Sequence, residues 1–243
     1  SIEEFDLMIR TLQDWGNEVT VITAFSDAND IPISLPYDVI VENINRSGLL
    51  GIQFGIYKIL KKYQSKADVF HLDGHIFLYG AGLYRRLGGK VPVSAFFNRE
   101  LSCWPENQSI FFPHASESAI VRLKKKIRRF VEKYFGMPIA NGIDVWSTIS
   151  PQFKMKYEEF GLKSNKHTQV IGDPIDFRRI FEANNLTEDA YGKRNKKRGP
   201  FLIFYSSRMA PGKGFDVLLK GFSKVKNKDN FRLVLGGSGP EEV

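Results

Sequence analysis

Two cations and two glycines stand together in YSSRMAPGKGFDVLLKGF (205–222). The apolar run at 200–205 has strand character and the residues after 214 follow a helical pattern, so Arg208, Gly212, Lys213 and Gly214 fall on a strand-to-helix turn. Such a turn gathers backbone N–H groups with no helical partner and the positive end of the helix dipole. Glycine lets an anion come close to the main chain, arginine grips a phosphate through two parallel hydrogen bonds, and lysine adds a compact charge. The chemistry that fits is diphosphate binding. The spacing is neither G-x-x-x-x-G-K-[ST] nor G-x-G-x-x-G, so on these residues alone a solvated loop with a glycine cap stands level with a cradle.

A second group of candidates comes from the order of elements. Helical spacing of Phe5, Met8, Ile9, Leu12 and Trp15 predicts a helix over 3–15, followed by strands at 18–24 and 37–41 and a helix over 49–62. Further strands fall at 67–72, 91–97, 143–149 and 167–171, with helices through 84–87, 118–135 and 151–160 between them. From 174 a second series starts, with a short helix near 177–183, a strand at 201–205, a helix over 214–225 and a strand at 231–235. Strands alternating with helices predict an α/β fold with a mainly parallel sheet in each part, and ligands of such sheets gather at the carboxyl ends of the strands. Asp73, His75, Asn98, Ser150 and Asp173 are candidates on that ground. Within the strand, His71 reads as a packed or hydrogen-bonded histidine, while His75 beside Gly74 is the better site residue. His114, Trp104, Phe111 and Phe112, in the loop 98–118, fit an acceptor pocket or ordinary surface packing.

A doubly wound domain begins on a strand, and this chain begins on a helix, so its first strand is expected to be missing. Two strands cannot close an α/β layer, so the second part is expected to be incomplete. The domain division expected is 1–173 and 174–243. Of the formal +8 charge, residues 174–243 hold +6, which suits an anionic ligand there. The single cysteine, Cys103, fits a reducing compartment and permits no internal disulfide. Sequons at Asn45, Asn107 and Asn185 come with no signal peptide and read as chance triplets. No apolar run approaches the ~20 residues that cross a bilayer. On these features the chain is expected in the cytoplasm.

The segment IVRLKKKIRRFVEKYF (120–135) sets Ile120, Leu123, Ile127, Phe130 and Tyr134 on one face, with seven Lys/Arg around the rest. Such a helix either packs its apolar face on the sheet or makes peripheral contact with the inner face of a membrane. The run GKRNKKRG (192–199) reads as a solvated loop.

SRMAPGKGFDVLLKGFSKV followed by FRLVLGGSGPEEV resembles the donor-domain signature of the family 4 retaining glycosyltransferases, which have the GT-B fold of two Rossmann-like domains. There, Gly-Arg-Leu, three residues and Lys-Gly precede an apolar helix and a strand ending in Gly-x-Gly-Pro-Glu. The family's first glycine is Ser207 here. The resemblance continues in NEVTVIT, ADVFHLDGH, VPVSAFFN and VWSTISPQFKMKYEEFG, in the family's order and over nearly the whole chain. It implies a nucleotide-diphosphate sugar lying between two domains, its diphosphate held by Arg208, Lys213 and Gly212, with Gly237, Gly239, Asp173 and Asn98 as further donor or cleft residues. It implies a glycan or lipid-linked acceptor hydroxyl, His75 and Asp73 as the catalytic candidates, and neither metal nor cofactor. Asp73 stands where the family has its second histidine and Asn98 where it has another, so which of His71, Asp73 and His75 meets substrate is left open. The family's Glu-x₇-Glu element would follow residue 243, so residues 1–243 alone are expected to be inactive.

Two other readings compete. A dinucleotide-binding oxidoreductase shares the βα order but needs a G-x-G-x-x-G turn in the first βα unit and an acidic residue after the second strand. A basic nucleic-acid-binding module lacks any RNA-recognition signature, helix-turn-helix or zinc spacing, so nucleic acid is not an expected partner.

Overall fold

The structure, a computed structural model, describes residues 2–24, 35–98, 118–172, 174–183, 185, 200–210 and 212–239. They divide into two compact units, one ending at Asp176 and the other starting at Phe177.

In the first unit, α1 (Ile2–Asp14) buries Ile9 and half-buries Phe5, Met8 and Leu12 on its apolar stripe. Trp15 was expected on that stripe but is exposed. It lies in the turn past the helix end, where Asn17 Nδ2 donates to the Leu12 carbonyl at 2.9 Å and bends the chain away. β1 (Thr20–Thr23) pairs in parallel with β2 (Asp38–Val41), Thr20 opposite Asp38. A second sheet holds β3 (Phe70–Asp73), β4 (Val93–Phe97), β5 (Val145–Thr148) and β6 (Gln169–Val170), adjacent in that order and all parallel.

Parallel neighbours need crossover connections, and in this second sheet helices supply them. α3 (Leu78–Arg86) lies between β3 and β4, α4 (Ala119–Val131) and α5 (Met137–Ala140) between β4 and β5, and α6 (Pro151–Phe160) between β5 and β6, while α2 (Gly48–Tyr63) leads from β2 to β3. β4 alternates, with Val93, Ala95 and Phe97 buried, and it bridges two apolar clusters. One holds Phe97, Trp146, Phe153 and Tyr157, with the Phe97 and Tyr157 rings stacked 5.0 Å apart. The other holds Ile56, Phe70, Ala81, Tyr84 and Val93, with Tyr84 edge-on to Phe70 at 5.8 Å.

The segment expected as one helix over 118–135 is built differently. After α4 the chain makes a π-helical turn, Glu132–Gly136, and then enters α5. A wide turn adds a residue to the helical count and rotates everything after it. Met137 and Ala140 therefore enter the core, while Ile120, Leu123, Ile127, Phe130 and Tyr134 before or within the turn are exposed. Packing of that apolar face on the sheet, one of the two expectations for 120–135, is not what the structure shows.

The α/β class with parallel sheets is as the sequence led one to expect. The second unit contains α7 (Phe177–Ala183) and a βαβ unit of β7 (Phe201–Ser206), α8 (Phe215–Ser223) and β8 (Phe231–Gly236), the strands parallel with Phe201 opposite Phe231. Phe215 is buried, whereas Phe201, Leu202 and Phe204 of β7 are exposed.

α3 passes its neighbours at van der Waals range through Gly80 and Gly82. A Cβ on Gly80 would meet the Gln53 carbonyl oxygen at 2.4 Å, and one on Gly82 the Ile139 carbonyl oxygen at 2.1 Å. Both obstacles are main chain of packed helices and cannot swing aside. Gly82→Ala is expected to lower unfolding free energy by about 1–3 kcal/mol in urea titration, the range of overpacking, despite alanine's better helix propensity.

Candidate functional site

The loop between β7 and α8 is tied down through its main chain. Ser207 N–H donates to the Gly236 carbonyl at 3.1 Å and Met209 N–H to the Ser238 carbonyl at 2.9 Å, which carries the parallel ladder past the ends of both strands. That approach requires glycine opposite. A Cβ on Gly237 would stand 1.9 Å from the Ser207 carbonyl oxygen, and one on Gly239 2.3 Å from that of Met209. Both glycines also hold positive φ, +140° and +153°. Gly237 and Gly239 thus hold the segment carrying Arg208 against β8.

Lys213 N–H closes a turn onto the Ala210 carbonyl at 3.1 Å, with Gly212 at φ +83°. Gly214, at φ +79°, is the N-cap of α8, and its carbonyl accepts from Leu218 N–H at 2.9 Å. The Tyr205 phenol donates to the Lys213 carbonyl, and its ring meets Phe215 edge-on at 4.9 Å. The main chain is therefore held from strand to helix, while the Arg208 and Lys213 side chains are exposed. Asp216, the acidic residue in the first turn of α8, pairs with Lys220 at 3.4 Å. A loop of this form can offer two cations and the first N–H groups of a helix to an anion.

In the first unit, parallel pairing brings the carboxyl ends of β3, β4 and β5 to one edge, and with them Asp73, His75, Asn98 and Ser150. Gly74 N–H donates to the Phe96 carbonyl at 2.9 Å, and His75 opens a 3₁₀ turn, His75–Phe77. Asn98 is half-buried and follows Phe97, whose carbonyl accepts from the buried Thr148 hydroxyl at 2.6 Å. Ser150 is engaged structurally. Its Oγ accepts from Phe153 N–H at 3.2 Å and caps α6. His71 contacts Ser94 Oγ through Nδ1 at 3.3 Å. Its ring reaches solvent, yet the protein atoms crowded around it push its pKa below the ordinary histidine value, opposed in part by the Asp73 carboxylate.

Asp173, His114, Trp104, Phe111, Phe112, Cys103 and the run 192–199 lie outside the described residues, as do Pro240 and Glu241 of GSGPE.

Three supports escaped the sequence reading. Gln53 is buried in α2, its Nε2 donating to the Ile76 carbonyl at 2.5 Å and its Oε1 accepting from Gly80 N–H at 2.7 Å. It fixes the turn that carries His75. The signal was present in GLLGIQFGIYKIL, where Gln53 falls at helical spacing in line with Leu49, Ile56 and Leu60. Asp144 accepts from Val93 N–H and pairs with Arg85 Nη2, both at 2.7 Å, so it fastens the start of β4 to α3. Thr148 is the third.

No protein-family model matches the chain. It is 29% identical over 101 residues to a mannosylfructose-phosphate synthase of Agrobacterium fabrum, a match covering 40% of this chain and 22% of that protein. Among solved structures it matches the apo structure of OtsA with a TM-score of 0.54 at 11% identity, over 94% of this chain and 60% of that one. The chain thus spans about a fifth of the curated relative's length and three fifths of the solved one. The likeness to OtsA carries the fold, which is α/β of the GT-B type.

Two measurements check the first unit's strand edge. The His71 imidazole should titrate below the ~6.5 of a free histidine side chain by NMR. The unfolded chain then takes up this proton at higher pH than the folded one, so His71 weakens the fold as pH falls below ~6.5 and has no effect well above it. Gln53→Leu leaves the Gly80 N–H and Ile76 carbonyl without that partner. It should cost about 2 kcal/mol or more in urea titration and speed exchange of the Gly80 amide.

Proposed function

We propose that the protein is a glycosyltransferase that moves a sugar from a nucleotide-diphosphate sugar to a hydroxyl of a glycan or lipid-linked acceptor, with retention, as the family 4 enzymes do. One observation carries the reading: Arg208 and Lys213 stand exposed on a single main-chain-tied loop at the carboxyl end of β7 and the amino end of α8. The GT-B fold and the weak homology to mannosylfructose-phosphate synthase, itself a glycosyltransferase, support it.

In this reading residues 1–173 serve the acceptor and residues 174–243 the donor. The anomeric C–O bond breaks and its electron pair goes to the leaving diphosphate, while a new bond forms from the acceptor oxygen to the anomeric carbon. Arg208 and Lys213 neutralise the charge that grows on the diphosphate. Because that charge is larger in the transition state than in the bound donor, their contact lowers the barrier rather than only tightening binding. The acceptor's proton needs a base, and the Asp73 carboxylate or the His75 imidazole, at the strand edge of the first unit, can take it. Gly212 leaves room for a phosphate oxygen at the main chain, and Asn98 and Asp173 are kept as polar groups for the sugar. No metal or cofactor has a part, and the reaction runs in the cytoplasm.

Sugar transfer by the intact protein tests this. Arg208→Ala and Lys213→Ala, at exposed positions, should leave the fold's thermal melt in place and each lower turnover by about 10²–10³-fold. Full activity in both variants would remove the diphosphate role from this loop.

A further inference from the structure

The helix α4 is mounted with its polar side inward. Leu123, Ile127 and Phe130 are each 58% exposed, and Ile120 and Tyr134 extend the same stripe at either end. On the opposite side, Lys125 and Arg129 are half-buried and Glu132 is 3% exposed. Glu132 accepts from the Tyr79 phenol of α3 at 3.1 Å and from Arg128 Nε at 2.5 Å. Arg129 lies over the Phe160 ring of α6, 6.0 Å from its centroid. The positions facing the protein body, 125, 129 and 132, and those facing outward, 120, 123, 127, 130 and 134, both follow helical spacing, on opposite faces.

The π-turn explains how this orientation coexists with a packed core. Gly136 lies against Tyr79, where a Cβ would stand 2.8 Å from Cε1, and beyond the turn Met137 and Ala140 are buried. The chain satisfies its core with α5 and leaves the apolar stripe of α4 outside. A contiguous apolar stripe on an outer surface marks a place where something docks.

The charges around the stripe name the occupant. Residues 120–135 carry seven Lys/Arg and one acid, Glu132, which is turned inward and paired with Arg128. Lys124 and Lys126 are exposed. An apolar stripe bordered by cations matches the boundary between acyl chains and anionic headgroups, where the stripe enters the acyl region and the lysines meet the phosphates. We infer that α4 docks this protein on an anionic lipid surface, lying in the plane of the interface with Leu123, Ile127 and Phe130 immersed. The inference stands on α4 alone, independent of sugar transfer, and adds to the proposed function a place of work beside lipid.

Flotation of the intact protein with vesicles tests it. Binding is expected to vesicles of phosphatidylcholine mixed with phosphatidylglycerol and not to phosphatidylcholine alone. It should weaken when salt rises from about 0.1 M to about 1 M, which shortens the screening length from ~10 to ~3 Å. Phe130→Ser, and separately Lys124→Glu with Lys126→Glu, should each reduce partitioning about tenfold or more without changing the circular dichroism spectrum. Phe130→Trp should shift its fluorescence to the blue when the mixed vesicles are added. Absence of binding by the folded protein would overturn the inference, as would equal binding to both vesicle types or binding indifferent to Phe130→Ser. A dimer that Phe130→Ser dissolves, with no vesicle binding, would assign the stripe to a second copy instead.

Discussion

The carbonyl oxygens of Ser207 and Met209 occupy the space that a side chain at 237 or 239 would need. This main-chain contact extends the β7–β8 ladder past its strands and fixes where the loop bearing Arg208 leaves the sheet. The loop's far end is held by Tyr205 on the Lys213 carbonyl and by the Gly214 cap of α8. Two flexible cationic side chains thus start from backbone that is defined at both ends. Backbone that is set before an anion arrives leaves only the two side chains to settle around it, which lowers the cost of rearrangement.

The first unit uses side chains for the same purpose. Gln53 spans from α2 to the turn after β3, Thr148 reaches across from β5 to the last carbonyl of β4, and Asp144 holds the first amide of β4. Each gives a partner to a backbone group in or beside a strand, where an unmet polar group would be costly. Asp73, His75 and Asn98 sit just past the Gln53 and Thr148 contacts, at the carboxyl ends of the strands, while Asp144 holds the opposite edge of the sheet. The strand edge is organised from behind by residues with no chemistry of their own.

Much of the α/β order was legible because its signals are local. Apolar runs such as VPVSAFF and the helical stretch 151–160 fix element type with little help from distant contacts. The placement of Arg208, Gly212 and Lys213 on one strand-to-helix turn followed in the same way. What the sequence hid depends on three dimensions. The helix 118–135 has an unbroken amphipathic pattern, and only the packing of Gly136 and Glu132 against Tyr79 shows that it breaks into a π-turn with its apolar face outward. Ser150 looked like a cleft residue by position, yet its hydroxyl is engaged as a helix cap. The close approach at Gly237 and Gly239 was likewise invisible, because a glycine in a sequence does not say which carbonyl it faces.

The +6 charge of residues 174–243 gives the second unit a field that favours anions, but a field is not a site. We propose that the Arg208 guanidinium and the Lys213 ammonium bind the same diphosphate. A crystal structure of the intact protein soaked with a nucleoside diphosphate tests it most directly. Both cations are predicted to lie within about 2.7–3.2 Å of diphosphate oxygens, beside the amino end of α8. A diphosphate bound with neither side chain in contact would contradict it.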